Sequence, residues 1–253
     1  MTIPLLAAII ASLATPAQAN ERRFTYTYES LTMPRGVREI EPWTTFILPH
    51  HEGEGLTMQQ RMELEVGLTD KLLTAFYINW SADPSGSRFD GVSSEWKLNL
   101  RSRATQAVGM ALYGEVGVGP TETELEAKLL LDEEWGGLVV AYNLVGELEW
   151  EREEEIDAAG AVEVEHEREI VVENLLAASY KVDAVHFGAE VIQKNEWKED
   201  ETEMKLSAGP ALGWVGPGLW ATATVPVTFL ELVDGEAEVE PAVAVRLIAG
   251  LDF

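Results

Sequence analysis

Apolar side chains recur at every second position along most of this chain from residue 37 onward. In the last segment, from Val239 to Phe253, the odd-numbered positions are apolar or proline, whereas the even-numbered ones include Glu240, Arg246 and Asp252. A β-strand places alternate side chains on opposite faces, while an amphipathic helix repeats about every 3.6 residues. The period of two therefore predicts strands that are apolar on one face and mixed or charged on the other.

Twelve such segments follow one another, separated by short stretches rich in glycine, proline and aspartate. Short connections of this kind are typical of consecutive antiparallel hairpins. Besides the first strand after residue 37 and the C-terminal one, the segments are 56–68, 72–81, 90–103, 107–118, 121–133, 138–150, 161–181, 186–197, 202–214 and 218–230. We predict an all-β fold of about 12 strands, or 14 if one break has been overlooked. Residues 22–32 are then either a partial strand or a segment inside a barrel lumen.

So many strands with one wholly apolar face need an extended apolar environment. Lipid is such an environment, and in lipid only helices and closed barrels satisfy every backbone N–H and C=O group. No stretch of the sequence approaches the ~20 continuous apolar residues of a membrane-spanning helix. The prediction is an antiparallel transmembrane β-barrel formed by one domain, residues 20–253. The alternative is a soluble periplasmic β-protein whose apolar face packs inward.

The first nineteen residues have the pattern of a secretory signal peptide. The run from Leu5 to Leu13 is apolar but too short to span a bilayer, and Ala17-Gln18-Ala19 matches a signal-peptidase site. The run departs from the usual pattern because no Lys or Arg precedes it. We expect residues 1–19 to be removed, the mature chain to begin at Asn20, and the barrel to reside in a bacterial outer membrane.

Charge and cysteine content exclude several classes of function. The chain has a net charge of −26, with 44 acidic residues against 18 basic ones. Nucleic acid is therefore not an expected partner, because binding to a phosphate backbone needs a basic face. The absence of cysteine rules out disulfides, iron–sulfur clusters and thiol chemistry.

The C-terminus resembles the assembly signal of Gram-negative outer-membrane barrels. The chain ends in Phe253, with Leu251 and further apolar residues at every second position before it. The resemblance implies that the outer-membrane assembly machinery and outer-membrane lipid are partners of this chain.

Two further stretches resemble an uncharacterised family of predicted outer-membrane barrels, known only as a domain of unknown function. The first runs from Tyr26-Thr27-Tyr28-Glu29 through Pro34-Arg35-Gly36 to Glu39 and Trp43, and the second from Gly209-Pro210 to the aromatic strands at Trp214 and Trp220. More remotely, both resemble barrels associated with phenol-degradation operons. The resemblance implies a fold and a location, carries no catalytic residue, and suggests uptake of a small hydrophobic compound as an alternative function.

The polar faces of the predicted strands supply candidate lumen residues. Acidic side chains dominate them, which predicts a structural barrel or a narrow passive channel that prefers cations. The candidates are Glu63, Glu65, Glu95, Lys97, Arg101, Glu122, Glu124, Glu126 and Arg246.

Further glutamates alternate along two neighbouring segments, 138–155 and 161–181. If these segments pair as a hairpin, the carboxylates share one face and repel one another. They then form either a cation-attracting vestibule or divalent-ion site, or a solvated hairpin that projects beyond the membrane. The glutamates concerned include Glu147, Glu149, Glu163, Glu165, Glu167 and Glu169.

An enzyme is not expected. The four histidines lie outside any metal-binding or catalytic motif, and we expect solvated or interface roles for them. The sequence has no Gly-x-Ser-x-Gly nucleophile motif and no phosphate-binding loop. No cofactor is predicted. Several tryptophans near strand ends, Trp220 among them, are assigned to the aromatic girdles of a barrel.

Overall fold

The strands of the described residues form a single closed antiparallel sheet. The computed structural model describes residues 21–49, 55–156, 162–199, 201–238 and 242–253, with the side chains of 153–156, 162–166 and 238 left out. Within these ranges no helix is long and apolar enough to cross a membrane.

In the part of the chain that the structure describes, fourteen strand segments follow one another in chain order. The first seven are β1 (Arg38–Ile47), β2 (Thr57–Thr69), β3 (Leu72–Asp83), β4 (Gly86–Arg101), β5 (Gly109–Val118), β6 (Glu122–Trp135) and β7 (Leu138–Ile156). The others are β8 (Val162–Val182), β9 (Val185–Trp197), β10 (Thr202–Gly216), β11 (Leu219–Thr224), β12 (Val227–Val233), β13 (Glu236–Glu238) and β14 (Ala242–Asp252).

These segments occupy twelve positions around a closed barrel, which confirms the predicted fold and strand number. Each strand from β1 to β10 pairs with the next, and β1 closes the ring by pairing with β14. Strands β11 and β12 share one position, since both pair with β10 and with β14. Val225 and Pro226 separate them, and a proline has no N–H to donate to a strand ladder. Strands β13 and β14 likewise both pair with β12.

The barrel has two distinct ends. One end, which we call the near end, holds Gly36, Phe253 and the connections at 70–71, 102–108, 136–137, 183–184 and 217–218. The far end holds the connections at 84–85, 119–121 and 234–235, together with the last residues of β1, β7 and β9. Four of the five near-end connections have two residues. Gly136 and Gly137 both have positive φ, 55° and 97°, as a tight hairpin turn requires.

The apolar face of the strands points outward. Phe76, Leu212 and Leu251 are each more than half exposed, whereas the alternate side chains on these strands are buried or half-buried. This direction contradicts the soluble alternative, in which the apolar face would pack inward.

Trp220 departs from its predicted place in an aromatic girdle. It is fully buried inside the barrel, because its neighbour Leu219 takes the outward position on β11. Gly250 on β14 makes room for the indole: a Cβ there would lie 2.2 Å from Trp220 Nε1. The indole N–H donates a hydrogen bond to Glu39 at 2.7 Å.

Strands β7 and β8 pair as the predicted hairpin, and it extends beyond its neighbours. The opposed residues include Glu149 with Glu169 and Glu151 with Glu167, so carboxylates do share one face. Pairing with β6 ends at Glu151, and pairing with β9 ends at Ile170. Beyond these points Arg152 N–H still donates to the Thr121 carbonyl at 2.7 Å, and the two strands otherwise pair with each other, which is the geometry of the projecting hairpin considered above.

The N-terminal segment forms no strand: the residues from 21 to 33 run through the barrel interior. This settles the choice left open for residues 22–32 in favour of a lumenal segment. The predicted signal peptide, residues 1–19, lies outside the described residues.

Candidate functional site

Residues 21–33, which we call the plug, fill the near half of the lumen. The segment starts at the near end, where Lys181 Nζ lies 2.6 Å from a Glu21 carboxylate oxygen. It reaches its furthest point around Tyr26, whose ring lies 3.9 Å from the Arg246 guanidinium. It then returns to the near end, where Gly36 N–H donates to the Gly67 carbonyl at 2.8 Å.

One glutamate binds the furthest part of the plug. Glu190 on β9 is fully buried, and its carboxylate accepts hydrogen bonds from the backbone N–H groups of Thr25, Tyr26 and Thr27 at 2.8–3.0 Å. The Thr224 hydroxyl donates to the same carboxylate at 2.6 Å. Three consecutive N–H groups that converge on one anion form a strong charge-assisted contact. Glu190 thus satisfies plug backbone groups that have no sheet partner.

Asn143 and Asp132 bind the returning part of the plug. Asn143 pairs with both backbone groups of Tyr28, accepting from its N–H at 2.6 Å and donating to its carbonyl at 2.9 Å. Asp132 accepts from the N–H and hydroxyl of Ser30 at 2.8 and 2.7 Å. The same Asp132 forms an ion pair with Arg103 at 2.6 Å.

Arg103 also binds Glu29 of the plug, at 2.8 Å. Burial by itself would raise the pKa of Glu29, but the positive charges of Arg103 and Arg23 outweigh it and hold that pKa below its ordinary value. Glu29 is therefore ionised when the plug is in place, and it stabilises the turn that carries Arg103.

Replacement of Asp132 by alanine is expected to destabilise the folded barrel by about 2–3 kcal/mol, because it removes two bonds to Ser30 and leaves Arg103 with fewer partners. The measurement is the midpoint of urea unfolding in detergent. The Ser30→Ala variant is the matched control, since it removes only the hydroxyl bond and should cost about 1 kcal/mol. Equal effects for the two variants would contradict the assigned role of Asp132.

The centre of the near half is filled by stacked aromatic and cationic side chains. The Arg22 guanidinium lies 4.0 Å from the centre of the Tyr28 ring, and the Lys128 ammonium lies 4.3 Å from it. Arg22 also lies 4.4 Å from the Trp43 ring, and Tyr113 packs edge-on against Tyr28. Cations over aromatic faces are attracted by the ring quadrupole. These contacts occupy the middle of the lumen in its near half.

A polar cavity of about 450 Å³ lies on the far side of the plug, and we call it the vestibule. Its floor includes Thr25, Tyr26 and Tyr28. Six carboxylates and three cationic side chains line it: Asp90, Glu115, Glu124, Glu126, Glu147 and Glu173, with Arg61, Lys128 and Arg246. Low-dielectric walls that carry an excess of one sign of charge concentrate counter-ions. The vestibule is therefore suited to attract cations.

The vestibule carboxylates continue a row of glutamates along the inner wall. Each member lies opposite the next across neighbouring strands, with Ala75 of β3 as the one interruption between Glu65 and Glu95. The register of a barrel is staggered, so such a row climbs the wall as it passes around it. It starts on β1 at the near end of the barrel and reaches the vestibule; its members are Glu39, Glu65, Glu95, Glu115, Glu126 and Glu147.

The structure places the candidate lumen residues at three levels. Glu63, Glu65, Glu95 and Lys97 are buried in the interior beside the plug. Glu124, Glu126, Glu147 and Arg246 line the vestibule. Farther out, Glu149 and Glu169 are half-buried, Glu122 and Glu167 are exposed at the far end, and the side chains of Glu163 and Glu165 lie outside the described residues.

Arg101 does not lie in the lumen. It is exposed at the near end, where its Nε donates to Gln106 at 2.6 Å. The register of β4 against β5 shifts between Asn99 and Arg101. The simple alternation that predicted an inward Arg101 therefore ends before this residue.

Sequence reasoning missed the residues that bind the plug. Glu190, Asn143 and Asp132 all lie at inward positions of their strands, but alternation does not distinguish them from the other inward polar residues there, such as Glu126 on β6 and Glu196 on β9. Glu39 and Glu41 carried a usable signal, because they alternate with Ile40 in the first strand.

Solved structures of outer-membrane barrels share this fold. The NanC porin is similar with a TM-score of 0.58 and 9% identity, covering 85% of this chain and 100% of that one. The β domain of the Bordetella autotransporter BrkA has a TM-score of 0.54 and 8% identity, covering 87% and 100% of the two chains. The translocator domain of the autotransporter NalP from Neisseria meningitidis has a TM-score of 0.52 and 11% identity, covering 99% and 96%. At such identities the likeness shows the fold alone.

Comparison with curated proteins finds no match. A family model does match, over residues 16–240, and it is described as a family of unknown function (DUF6662). This match covers the plug and most of the strands, including the stretches around Tyr28 and Trp214 that carried the resemblance. The chain therefore belongs to this family of unknown function, and its fold is that of the outer-membrane β-barrels.

Proposed function

We propose that this protein is a bacterial outer-membrane barrel held closed by its own N-terminal segment, with an acidic vestibule that collects small cations on the outer side. The observation that carries the proposal is the plug itself. Its backbone is bonded to the wall through Glu190, Asn143 and Asp132, and its side chains occupy the near half of the lumen. The role is passive, and no catalytic residue is proposed.

The orientation follows from the connections. Outer-membrane barrels have short periplasmic turns and longer extracellular loops. The near end, with its two-residue turns, is therefore assigned to the periplasm, and the vestibule opens to the outside. Export by the signal peptide at residues 1–19 is part of the same proposal.

Passage through the barrel requires the plug to move. The measurement is the current carried by the refolded full-length barrel in a planar bilayer under a salt gradient. We expect no steady current, and any brief openings should have a reversal potential that favours cations, because the vestibule carries twice as many carboxylates as cationic side chains. A steady current from demonstrably folded protein would contradict closure, and anion selectivity would contradict the role of the vestibule.

Assembly is proposed to depend on the C-terminal residue. Phe253 is about half exposed to the lipid side, and its N–H donates to the Arg38 carbonyl at 2.9 Å where the barrel closes. Removal of Phe253 is expected to lower the amount of folded protein in the outer membrane several-fold, while refolding of the purified chain in detergent changes little. Fractionated membranes compared by heat-dependent gel migration measure both. Unchanged assembly in cells would contradict the role of Phe253 in assembly.

The alternative, uptake of a small hydrophobic compound, draws its support from the remote resemblance to phenol-degradation barrels. Such a compound would need an apolar surface inside the barrel. The vestibule lining is predominantly polar and charged, so the interior geometry favours cations over this alternative.

A further inference from the structure

Five glutamates meet on the inner wall beside the base of the plug. They come from β1, β2 and β4 and are at most 1% exposed: Glu39, Glu41, Glu63, Glu65 and Glu95. We call them the five-glutamate cluster. One carboxylate oxygen each from Glu39, Glu41 and Glu65 lies within 4.8 Å of the other two, and the same holds for Glu63, Glu65 and Glu95. Glu65 thus joins the two groups into one.

Strand register brings these carboxylates together. Glu39 lies directly opposite Glu65, and Glu41 lies opposite Glu63, in the pairing of β1 with β2. Ala75 of β3 stands between Glu65 and Glu95, and its small side chain leaves room for the two carboxylates to approach over it.

The cluster has oxygens with no hydrogen-bond donor among the described residues. Both carboxylate oxygens of Glu63 are buried and without a partner, and Glu39, Glu41 and Glu95 each have one such oxygen. A buried carboxylate without a partner is costly, and several close together repel one another as well. Glu63 in particular lies in the cluster with both carboxylate oxygens buried and no hydrogen-bond donor among the described residues.

The cationic side chains around the cluster are too few to balance it. Arg22 of the plug lies 3.4 Å from Glu41. The positive charge of Lys97 attracts the carboxylates of Glu65 and Glu95. That of Arg61 attracts the carboxylate of Glu63. Fully ionised, the five carboxylates would exceed these three positive charges by two. One divalent cation would remove that excess.

We infer that the five-glutamate cluster binds one hard divalent cation, with Ca²⁺ as the favoured ion. Ca²⁺ takes 6–8 oxygen ligands in flexible geometry, which suits several carboxylates that offer unpartnered oxygens. Two tryptophans each hold one carboxylate oxygen of the cluster: Trp43 Nε1 donates to Glu41 at 3.0 Å, and Trp220 Nε1 donates to Glu39 at 2.7 Å. Partners of this kind orient metal ligands and tune affinity.

The site would join β1, β2 and β4 and, through Arg22 and Glu41, the base of the plug. It does not depend on whether the barrel conducts, so the inference stands apart from the proposed function. The Glu115, Glu124 and Glu126 group in the vestibule is a weaker candidate, because Lys128 already lies 2.9 Å from Glu126.

Binding is tested on the refolded full-length chain in detergent after treatment with EDTA. Calorimetric titration with Ca²⁺ should show one tight equivalent and a higher unfolding temperature. Tb³⁺, used as a luminescent substitute for Ca²⁺, should emit when tryptophan is excited, since Trp43 and Trp220 contact the cluster. The double variant Glu63→Gln with Glu65→Gln should weaken Ca²⁺ binding at least about tenfold. Without metal this variant should be no less stable than the natural chain, because it relieves repulsion.

The matched control is Glu151→Gln with Glu167→Gln, an opposed and exposed pair at the far end. It removes the same charge and should bind Ca²⁺ as the natural chain does. Absence of Ca²⁺ and Tb³⁺ binding by the folded natural chain would overturn the inference and show that protons alone balance the cluster. Equal affinity in the cluster variant, or an equal loss in the control, would overturn it too. If the double variant fails to fold, Glu63→Gln alone replaces it.

Discussion

Deletion of residues 21–33 is expected to turn a barrel without steady conductance into a cation-selective pore. The plug fills the near half of the lumen with the Tyr28 ring and the cations stacked on it, so its removal joins the vestibule to the near end. The glutamate row would then face water along its length, and cations would be concentrated there. We expect the single-channel current in a planar bilayer to rise from background to a steady level at least tenfold above it.

Folding is the first control for this deletion. The wall is held by a complete ring of strand pairs and by its outward apolar face, neither of which involves the plug, so the barrel should still form. A synthetic peptide of residues 21–33 added on the near side should reduce the current. In the same background, Glu126→Gln with Glu147→Gln should lower cation selectivity. A deleted barrel that folds but carries no current would show that other side chains close the lumen.

Replacement of Glu190 by alanine is expected to release the plug without removing it. The change leaves three consecutive backbone N–H groups and the Thr224 hydroxyl without their acceptor in a buried place. Loss of a buried charged acceptor typically costs about 3–5 kcal/mol, so the docked plug should become a minor state. Hydrogen exchange at the amides of residues 25–27 should accelerate by at least about a hundredfold, and brief channel openings should become frequent.

Two matched variants separate the role of Glu190 from a general loss of stability. Glu190→Gln keeps an acceptor oxygen of similar shape but removes the charge, and should give an intermediate effect. Thr224→Val removes one bond to Glu190 and leaves the three plug N–H groups satisfied, so exchange at residues 25–27 should change little. If Glu190→Ala left those amides as protected as in the natural chain, Glu190 would not be the group that holds the plug.

Alternation was sufficient to predict the wall of the barrel. Each inward residue is two positions from the next, and a slip of one residue would turn every apolar side chain from lipid to lumen, so the pattern fixes the register strongly. The prediction was wrong at two residues. At Arg101 a register shift ends the alternation, and at Trp220 the alternation continues but places the indole inward, in the space that Gly250 leaves open, and not in an aromatic girdle.

The sequence by itself determined the fold class, the strand number, the outward direction of the apolar face and the acidic character of the interior. These follow from contacts between residues close in sequence or on neighbouring strands, where spacing predicts position. The tertiary structure alone decided that residues 21–33 plug the lumen, because important groups that bind the plug are more than 100 residues away in sequence, as Glu190 is from Thr25 and Asn143 from Tyr28. It also decided that Glu65 and Glu95 meet, since they belong to strands that are not direct neighbours and the small Ala75 between them sets the approach. Local pattern carries no information about such contacts, which arise only when the sheet closes and encloses its own N-terminal segment.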